Sequence, residues 1–180
     1  MASVSTRELT PVSYLVLGLV ACGASTSYEL KQRVASSVGF MWSFPHSALY
    51  AEPARLAALG LLADRQEDHG RRRRVYTITD HGRGELERWL REPATEPPQL
   101  RDLGLLKLFF SNLTSEDDVR SLAEAQSAAH RERLALYEAI EASIPAETPD
   151  PFPFATLRMG LMCERAFIAF WGEIATNPPQ

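Results

Sequence analysis

Apolar residues in the first half of the chain recur at helical spacing and predict three successive helices. The first, over residues 14–21, is apolar nearly all round and therefore buried, with Ser13 as its N-cap. The second begins at Ser27, which caps a segment with apolar residues near helical spacing. The third begins at Pro45, a residue suited to a first helical turn, and ends before Gly60.

The third predicted helix contains an internal proline. Leu49, Leu56 and Leu59 share one face of this helix. Pro53 removes one backbone hydrogen bond and clashes with the carbonyl of Leu49. We therefore expect a kink at this point, or two short helical pieces that meet at Glu52.

In the next segment apolar and polar residues alternate, and this pattern predicts a β-hairpin. Its arms are LLADRQ (61–66) and RRVYTIT (73–79), and Gly70 in the turn between them can take a positive φ. Tyr76 and Ile78 share one face of the second arm and should pack inward near its base. The arginines then lie at the exposed tip of the hairpin.

A fourth helix and a proline-rich segment follow the hairpin. Thr79 caps this helix, and its inward stripe is predicted at Leu86, Trp89 and Leu90. The segment REPATEPPQL (91–100) has three prolines and no apolar periodicity. It predicts a boundary between a first domain, residues 1–92, and a second, residues 93–180.

The second half of the chain is helical in pattern. Residues 100–113 are strongly apolar, and Ser115 followed by Asp118 resembles a capping box that opens a helix to about Ser143. Inward positions of this long helix are predicted at Val119, Leu122, Ala129, Leu136 and Ile140. A last helix, about 154–175, is apolar over a wide arc, so it needs cover from the core or from a second subunit. The fold class is thus mostly α with one β-hairpin.

Charge is distributed unevenly between the two halves. The chain of 180 residues has a formal net charge of -4 at pH 7. Residues 1–92 have twelve Lys and Arg against ten Asp and Glu, whereas residues 93–180 have seven against thirteen. Four arginines, Arg71, Arg72, Arg73 and Arg74, are consecutive at the hairpin tip. They indicate either a solvated loop or an arm that grips phosphates.

The sequence does not have the motifs of the common enzyme classes. It has no GxGxxG, Walker A, GxSxG or HExxH pattern. His46, His69, His81 and His130 do not have the spacing of metal ligands and are interpreted as isolated surface residues. We therefore expect a protein that is not an enzyme and holds no cofactor or metal.

Two further features concern the compartment. Cys22 and Cys163 lie far apart in apolar stretches and are interpreted as buried thiols in a reducing cytoplasm. The apolar run from Tyr14 to Cys22 is about half as long as a bilayer span requires. It is interpreted as a buried helix.

Three helices followed by a hairpin form the element order of a winged helix-turn-helix. In that fold one helix lies in the major groove of DNA and the hairpin lies along the adjacent backbone. Arginines at the hairpin tip would then neutralise phosphates, which gives the run at 71–74 a function.

Specific residues in this region resemble the PadR family of bacterial transcriptional regulators. The resemblance rests on Tyr28-Glu29-Leu30, Trp42, Ser47, Leu49-Tyr50, Arg55-Leu56, Gly60-Leu61, Tyr76, Ile78-Thr79 and Gly82. They run in order from Tyr28 to Gly82, within a stretch of about 80 residues (14–90) that has family-like spacing, and the second half resembles the longer branch of the family. The resemblance implies an N-terminal winged helix domain and C-terminal helices that interlock in a homodimer. It also implies binding to inverted-repeat operators, usually as a repressor.

The resemblance also implies which residues meet DNA. Carried over by position, His46, Ser47 and Tyr50 point toward the groove, while Ser27, Lys31 and Ser43 lie near phosphates. Plainer interpretations stay open: Tyr50 is equally suited to the core, and His46 to an exposed helix start without base contact.

The same family resemblance implies a dimer interface and an effector site. The interface is expected at Leu105, Phe109, Phe110, Leu161, Phe167, Phe170 and Trp171, which an intramolecular core would also explain. Some family members release DNA when a small aromatic molecule binds. Aromatic and Met side chains that could line such a pocket, or simply the core, are Phe40, Trp42, Trp89 and Met162.

Two other functions are compatible with the fold. One is a winged-helix protein-interaction module without operator binding, for which four tip arginines have no evident use. The other is a thiol redox sensor, which needs Cys22 or Cys163 exposed with a lowered pKa.

Overall fold

In a computed structural model the chain divides into two compact units, Met1–Glu96 and Pro97–Gln180. The structure describes residues 8–35, 37–40, 42, 45, 47–66, 73–97, 99–144 and 150–179, with the side chain of Phe40 excepted. The division lies inside the proline-rich segment at 91–100.

The first unit has the element order of a winged helix. Its elements are α1 (Pro11–Ala21), α2 (Ser27–Ala35), a short 3-10 turn (Val38–Phe40), α3 (Ala48–Ala58), β1 (Leu62–Gln66), β2 (Arg74–Ile78) and α4 (Asp80–Arg91). The predicted fold class, mostly α with one β-hairpin, is confirmed.

The predicted start of the first helix is wrong by three residues. α1 begins at Pro11, and Thr10 is its N-cap, with an extended backbone and a side chain that accepts from Ser13 N. Ser13 is the third helical residue, and its side chain completes a capping box by accepting from Thr10 N. Thr10 was missed because Pro11 at the first helical position is equally compatible with a helix start and a loop.

The second and third helix starts also differ from the prediction. Ser27 is the first residue inside α2, and the Thr26 hydroxyl accepts from Glu29 N at 3.2 Å. α3 begins at Ala48 and not at Pro45, because Pro45 supplies a carbonyl to Ala48 N in the turn before the helix. Ser43 and His46 lie outside the described residues.

Pro53 does not divide the third helix into two pieces. α3 is one helix from Ala48 to Ala58 with Pro53 inside it, fully buried. The proline nevertheless cannot donate to the carbonyl of Leu49, so α3 has one backbone bond fewer than a regular helix. Gly60, with φ 73°, allows the turn that follows α3.

Four helices and the hairpin enclose the core of the first unit. It consists of Val16, Leu17, Val20, Ala24, Leu30, Val34, Leu49, Leu56, Leu61, Leu62, Tyr76 and Leu86. The inward prediction for Tyr76 and Leu86 is therefore confirmed, and Ile78 packs against the same core. It is wrong for Leu90, which is 66% exposed, and for Trp89, which lies half-exposed against Tyr14.

The hairpin is fixed to the helices through the turn between α1 and α2. β1 and β2 pair antiparallel, with Leu62 opposite Ile78 and Gln66 opposite Arg74. Tyr76 N in β2 donates to Ser25 O at 2.7 Å, and this bond ties the two-stranded hairpin to the segment between α1 and α2. The base of the wing therefore has a defined position relative to α2.

Gly82 allows α4 to lie directly against the turn before β1. A Cβ at this position would lie 2.0 Å from Leu61 O, whereas a Cβ on Gly84, in the same helix, would meet nothing within 4 Å. We expect Gly82→Ala to lower the free energy of unfolding by about 3 kcal/mol, because helix and turn must separate. Gly84→Ala is the control and should be neutral or stabilising. Urea denaturation measures both, and equal midpoints would contradict the close approach.

The second unit is built on a pair of long helices. Its elements are α5 (Leu103–Phe109), a 3-10 turn (Ser111–Leu113), α6 (Glu116–Ser143) and α7 (Pro151–Thr176). Arg120 Nη1 in α6 donates to Ala175 O at 3.1 Å, and Arg165 in α7 donates to Glu138 at 3.2 Å. These contacts near opposite ends make α6 and α7 antiparallel.

The helix starts of the second unit follow from three capping side chains. The predicted capping box of Ser115 and Asp118 is confirmed. Asp102 caps α5, and Asp150 caps α7, which starts three residues before the predicted position. Asp followed by Pro is also a common turn pattern, so the start of α7 was not evident from the sequence.

The buried face of α6 differs from the predicted one. It consists of Val119, Ala123, Ser127, His130 and Tyr137, so the prediction is right for Val119 but wrong for Ala129 and for Leu136, which are exposed. His130 was interpreted as a surface residue, yet it is buried, with its Nδ1 2.6 Å from Glu164 Oε2 and its ring stacked on Phe167. Small and polar residues occupy this face, so apolar periodicity did not identify it.

The interpretation of both cysteines as buried thiols is also wrong. Cys22 is exposed and Cys163 is half-buried, and both are free thiols. Cys22 is exposed because it is the C-cap of α1, beyond the last buried turn of that helix. None of the helices in the described part of the chain has the length and apolar content that crossing a membrane requires.

Candidate nucleic-acid interface

The outer face of α3 carries small side chains around one large aromatic residue. Leu49, Pro53 and Leu56 face the core and are buried. Ser47, Tyr50, Ala51 and Ala58 are exposed on the other side. Small residues around Tyr50 allow the helix backbone to approach another surface closely, as a helix in a DNA groove must.

The two described groove-facing predictions, Ser47 and Tyr50, are both accessible. Ser47 is the N-cap residue of α3, but its side chain makes no capping hydrogen bond. Tyr50 is 55% exposed, so the alternative that it belongs to the core is wrong. The structure thus leaves both hydroxyl groups available at the start of the helix, where recognition helices usually contact base edges.

α2 offers a second polar surface. Lys31 is exposed and Ser27 is half-buried at the start of the helix. Tyr28, 58% exposed, is one turn before Lys31, and its hydroxyl accepts from Gln32 Nε2 at 3.1 Å. Tyr28 lies near helical spacing with Leu30 and Val34, so the sequence pattern predicts it among the apolar positions of α2. Residues three apart lie side by side on a helix, so the position of Tyr28 three residues before the charged Lys31 indicates an exposed face.

Two of the four arginines at the tip of the β1–β2 hairpin, the wing of the fold, belong to the described residues. Arg73 is exposed, and Arg74 is exposed with its Nε 3.8 Å from Asp64 Oδ2. That surface ion pair is weak and leaves most of the guanidinium accessible. Arg71 and Arg72 lie outside the described residues.

The positive charge of Arg73 acts on Glu29 in the first turn of α2. Glu29 accepts from Ser25 N at 2.7 Å and from the Ser25 hydroxyl at 2.9 Å. These bonds lower the pKa of Glu29, and the positive charge of Arg73 contributes in the same direction. Arg73 therefore lies within electrostatic range of the first turn of α2.

The residues predicted at the dimer interface fall into three groups by exposure. Leu161 and Trp171 are buried within the second unit, so packing of α7 inside that unit already explains them. Leu105 and Phe167 are half-buried, while Phe109, Phe110 and Phe170 are exposed. Phe109 is 78% exposed beside Leu103, Leu106 and Leu113, which are also exposed. An apolar surface of this kind typically marks an interaction site.

The predicted effector pocket involves residues of both units. Trp42 is 53% exposed, Met162 is 62% exposed, and the Phe40 side chain lies outside the described part of the chain. Trp89 stacks on Tyr14, with ring centroids 4.6 Å apart and planes at 4°. This stack and Arg88 line an open groove in the first unit, and the pocket stays a prediction.

Two family models match the chain, one in each unit. The "Transcriptional regulator PadR-like family" model matches residues 16–88, and the "Virulence activator alpha C-term" model matches residues 100–176. The first unit therefore belongs to the PadR-like family of transcriptional regulators. This is a family of regulators and not of enzymes. Within the described residues, no group of three His, Cys, Asp or Glu side chains could hold a metal ion.

Relatives of known structure align over nearly the whole chain. The negative transcriptional regulator PadR of Bacillus subtilis is 26% identical over 172 residues, which cover 91% of this chain and 94% of that one. Its crystal structure in complex with operator DNA has a TM-score of 0.81 at 25% identity, covering 92% of this chain and 97% of that one. Its complex with p-coumaric acid has a TM-score of 0.75 at 25% identity, covering 92% and 96%.

Proposed function

We propose that this PadR-like regulator is a homodimeric repressor that binds an inverted-repeat operator through α3 and the wing. The observation that carries the proposal is the accessible face of α3, with Ser47 and Tyr50 beside small residues, in a fold matched by an operator-bound PadR. In this proposal Ser47, Tyr50 and His46 read bases. Arg71 to Arg74, Ser27, Lys31 and Ser43 contact phosphates.

A homodimer supplies the symmetry that an inverted repeat requires, since each subunit takes one half-site. The exposed apolar surface of α5 and the turn after it, from Leu103 to Leu113, supports this state. Such a surface is costly to leave in water on a monomer. Since operator DNA is in the bacterial cytoplasm, we place the protein there.

A gel-shift experiment tests the proposed function. The purified protein is incubated with the DNA upstream of its own gene and with random duplex, each at two salt concentrations. A shift specific to the upstream fragment supports an operator-binding regulator, and salt-sensitive binding to both fragments directs the search to other promoters. Absence of binding to either would favour the protein-interaction module instead.

The effector class is proposed from the relative that was crystallised with p-coumaric acid. We propose that a small aromatic acid releases this protein from its operator. Adding p-coumaric acid to the protein–operator complex tests the class, because release would restore free DNA on the gel. Retention of the complex at millimolar concentrations would contradict it. A promoter–reporter fusion in cells with and without the gene decides between repression and activation.

Replacing Ser47 with Ala is expected to reduce the ratio of operator to random-DNA affinity about fivefold to tenfold, since a base contact is lost while phosphate contacts persist. Fluorescence anisotropy on both duplexes measures the ratio. Ser121→Ala, at an exposed serine of α6, is the matched control and should leave the ratio unchanged. An equal loss of affinity on both duplexes would assign Ser47 to positioning instead of base readout.

A further inference from the structure

A partly buried polar network joins α3 to α1. Arg55 Nε donates to Glu52 Oε2 at 3.0 Å, and Arg55 Nη2 donates to Glu52 Oε1 at 2.6 Å. The Ser13 hydroxyl of α1 donates to Glu52 Oε1 at 2.6 Å and accepts from Arg55 Nη2 at 2.8 Å. Arg55 therefore does not face the outer surface of α3 but is held against α1.

Ser13 has no spare hydrogen-bonding capacity in this network. Its side chain is fully buried, and the same oxygen also accepts from Thr10 N at 2.9 Å, within the capping box of α1. One donor and two acceptor positions are thus all in use. A shift of α3 along or around its axis would break hydrogen bonds of a hydroxyl that is itself shielded from water.

The network spans the weak point of α3. Pro53 deprives the carbonyl of Leu49 of its helical partner. Glu52 precedes the proline and Arg55 follows it, so their ion pair connects the two sides of the missing bond. The Glu52–Arg55 ion pair thus connects the half of α3 that contains Tyr50 to the half that ends at Ala58.

The composition of the network suits the precise alignment of α3 better than it suits a gain in stability of the fold. Arg55 Nη1 is buried without a hydrogen-bond partner among the described residues, an arrangement that opposes folding. Burial raises the pKa of Glu52, but hydrogen bonds from Arg55 and Ser13 outweigh this effect and hold the pKa below its ordinary value. Partly buried ion pairs of this kind add little stability compared with apolar side chains, whereas their directional bonds define one geometry.

Base recognition is sensitive to such alignment. Side-chain tips lie about 5–6 Å from a helix axis, so a rotation of about 10° moves them by about 1 Å. That displacement exceeds the roughly 0.5 Å range of good hydrogen-bond distances. We propose that Ser13, Glu52 and Arg55 are positioning residues that fix α3 against α1 and thereby determine operator discrimination. The inference rests on the proposed function, since it concerns how the same helix reads DNA.

The test compares Glu52→Gln and Ser13→Ala with the wild-type protein on the operator fragment and on random duplex. Each variant is first shown by thermal melting to be folded at the assay temperature. We expect the ratio of operator to random-DNA affinity to fall about tenfold in both, with random-DNA affinity and its salt dependence unchanged. Glu85→Gln is the matched control, because Glu85 and Arg88 form the same i,i+3 pair on exposed α4.

The outcomes separate the inference from the proposed function. Unchanged discrimination in folded Glu52→Gln and Ser13→Ala would overturn the positioning role, and so would an equal loss on both duplexes. If Glu52→Gln is unfolded, Ser13→Ala alone decides, since it removes a single oxygen. A wild-type protein without operator preference would overturn the proposed function itself, which the wild-type measurement reveals before any variant is compared.

Discussion

Replacing Phe109 and Phe110 together with Asp is expected to convert the proposed dimer to a monomer and to lower operator affinity at least about 100-fold, or about 3 kcal/mol. The two rings are exposed and in edge contact with each other, at 5.0 Å between centroids, so neither is needed to fill the core of its own unit. Two carboxylates there would oppose burial in an apolar interface. A monomer would retain the contacts of one half-site only.

Sedimentation and a gel shift measure the two parts of this prediction separately. Phe109→Leu with Phe110→Leu is the matched control, because it keeps an apolar surface and should preserve the dimer. A double-Asp variant that stays dimeric would remove this surface from the interface. Monomers with full operator affinity would instead contradict the requirement for a dimer.

The order of elements could be predicted because each element has a strong local signal. Thr79 before α4 and the Ser115–Asp118 box before α6 are capping patterns that depend on neighbouring residues only. The alternation around Tyr76 likewise depends on a single strand. Where two local signals compete, as at Pro11 and Pro45, the predicted start was wrong by three residues.

The polar contacts between helices could not be predicted, because they join residues far apart in sequence. Ser13 and Glu52 are ordinary polar residues in their own segments, and only the packing of α1 on α3 makes them partners. The same holds for His130 and Glu164 between α6 and α7. Exposure of Tyr50 also depends on which side of α3 faces the core, and Pro53 on the buried face obscured that pattern.

The two units differ in net charge and in the side chains that they expose. The first unit exposes Arg73, Arg74 and Lys31 as well as the outer face of α3, whereas residues 93–180 are acidic overall. An acidic surface repels DNA. Apolar side chains around Phe109 are suited to another protein surface instead. These differences support the proposed function, in which the first unit binds DNA and the second unit associates with another copy of the chain.

Replacing Arg73 and Arg74 together with Ala is expected to weaken binding about tenfold on operator and random DNA alike. Each phosphate contact contributes about 0.9 to the slope of log affinity against log salt, so loss of two contacts should reduce that slope by about 1.8. The ratio between the two duplexes should persist, because phosphates are the same in every sequence. Anisotropy titrations at four salt concentrations give both quantities.

Arg88→Ala with Arg91→Ala is the control that makes this test specific to the wing. It removes the same charge from the same unit, but from α4, where both guanidinium groups are already paired with glutamates. A general effect of net charge would alter the two double variants equally, since long-range attraction depends on total charge. A change of slope confined to the wing variant would instead mean that these two arginines lie on phosphates. An unaltered slope in that variant would show that the exposed arginines of β2 are solvated, and would leave α3 to bind DNA without a wing.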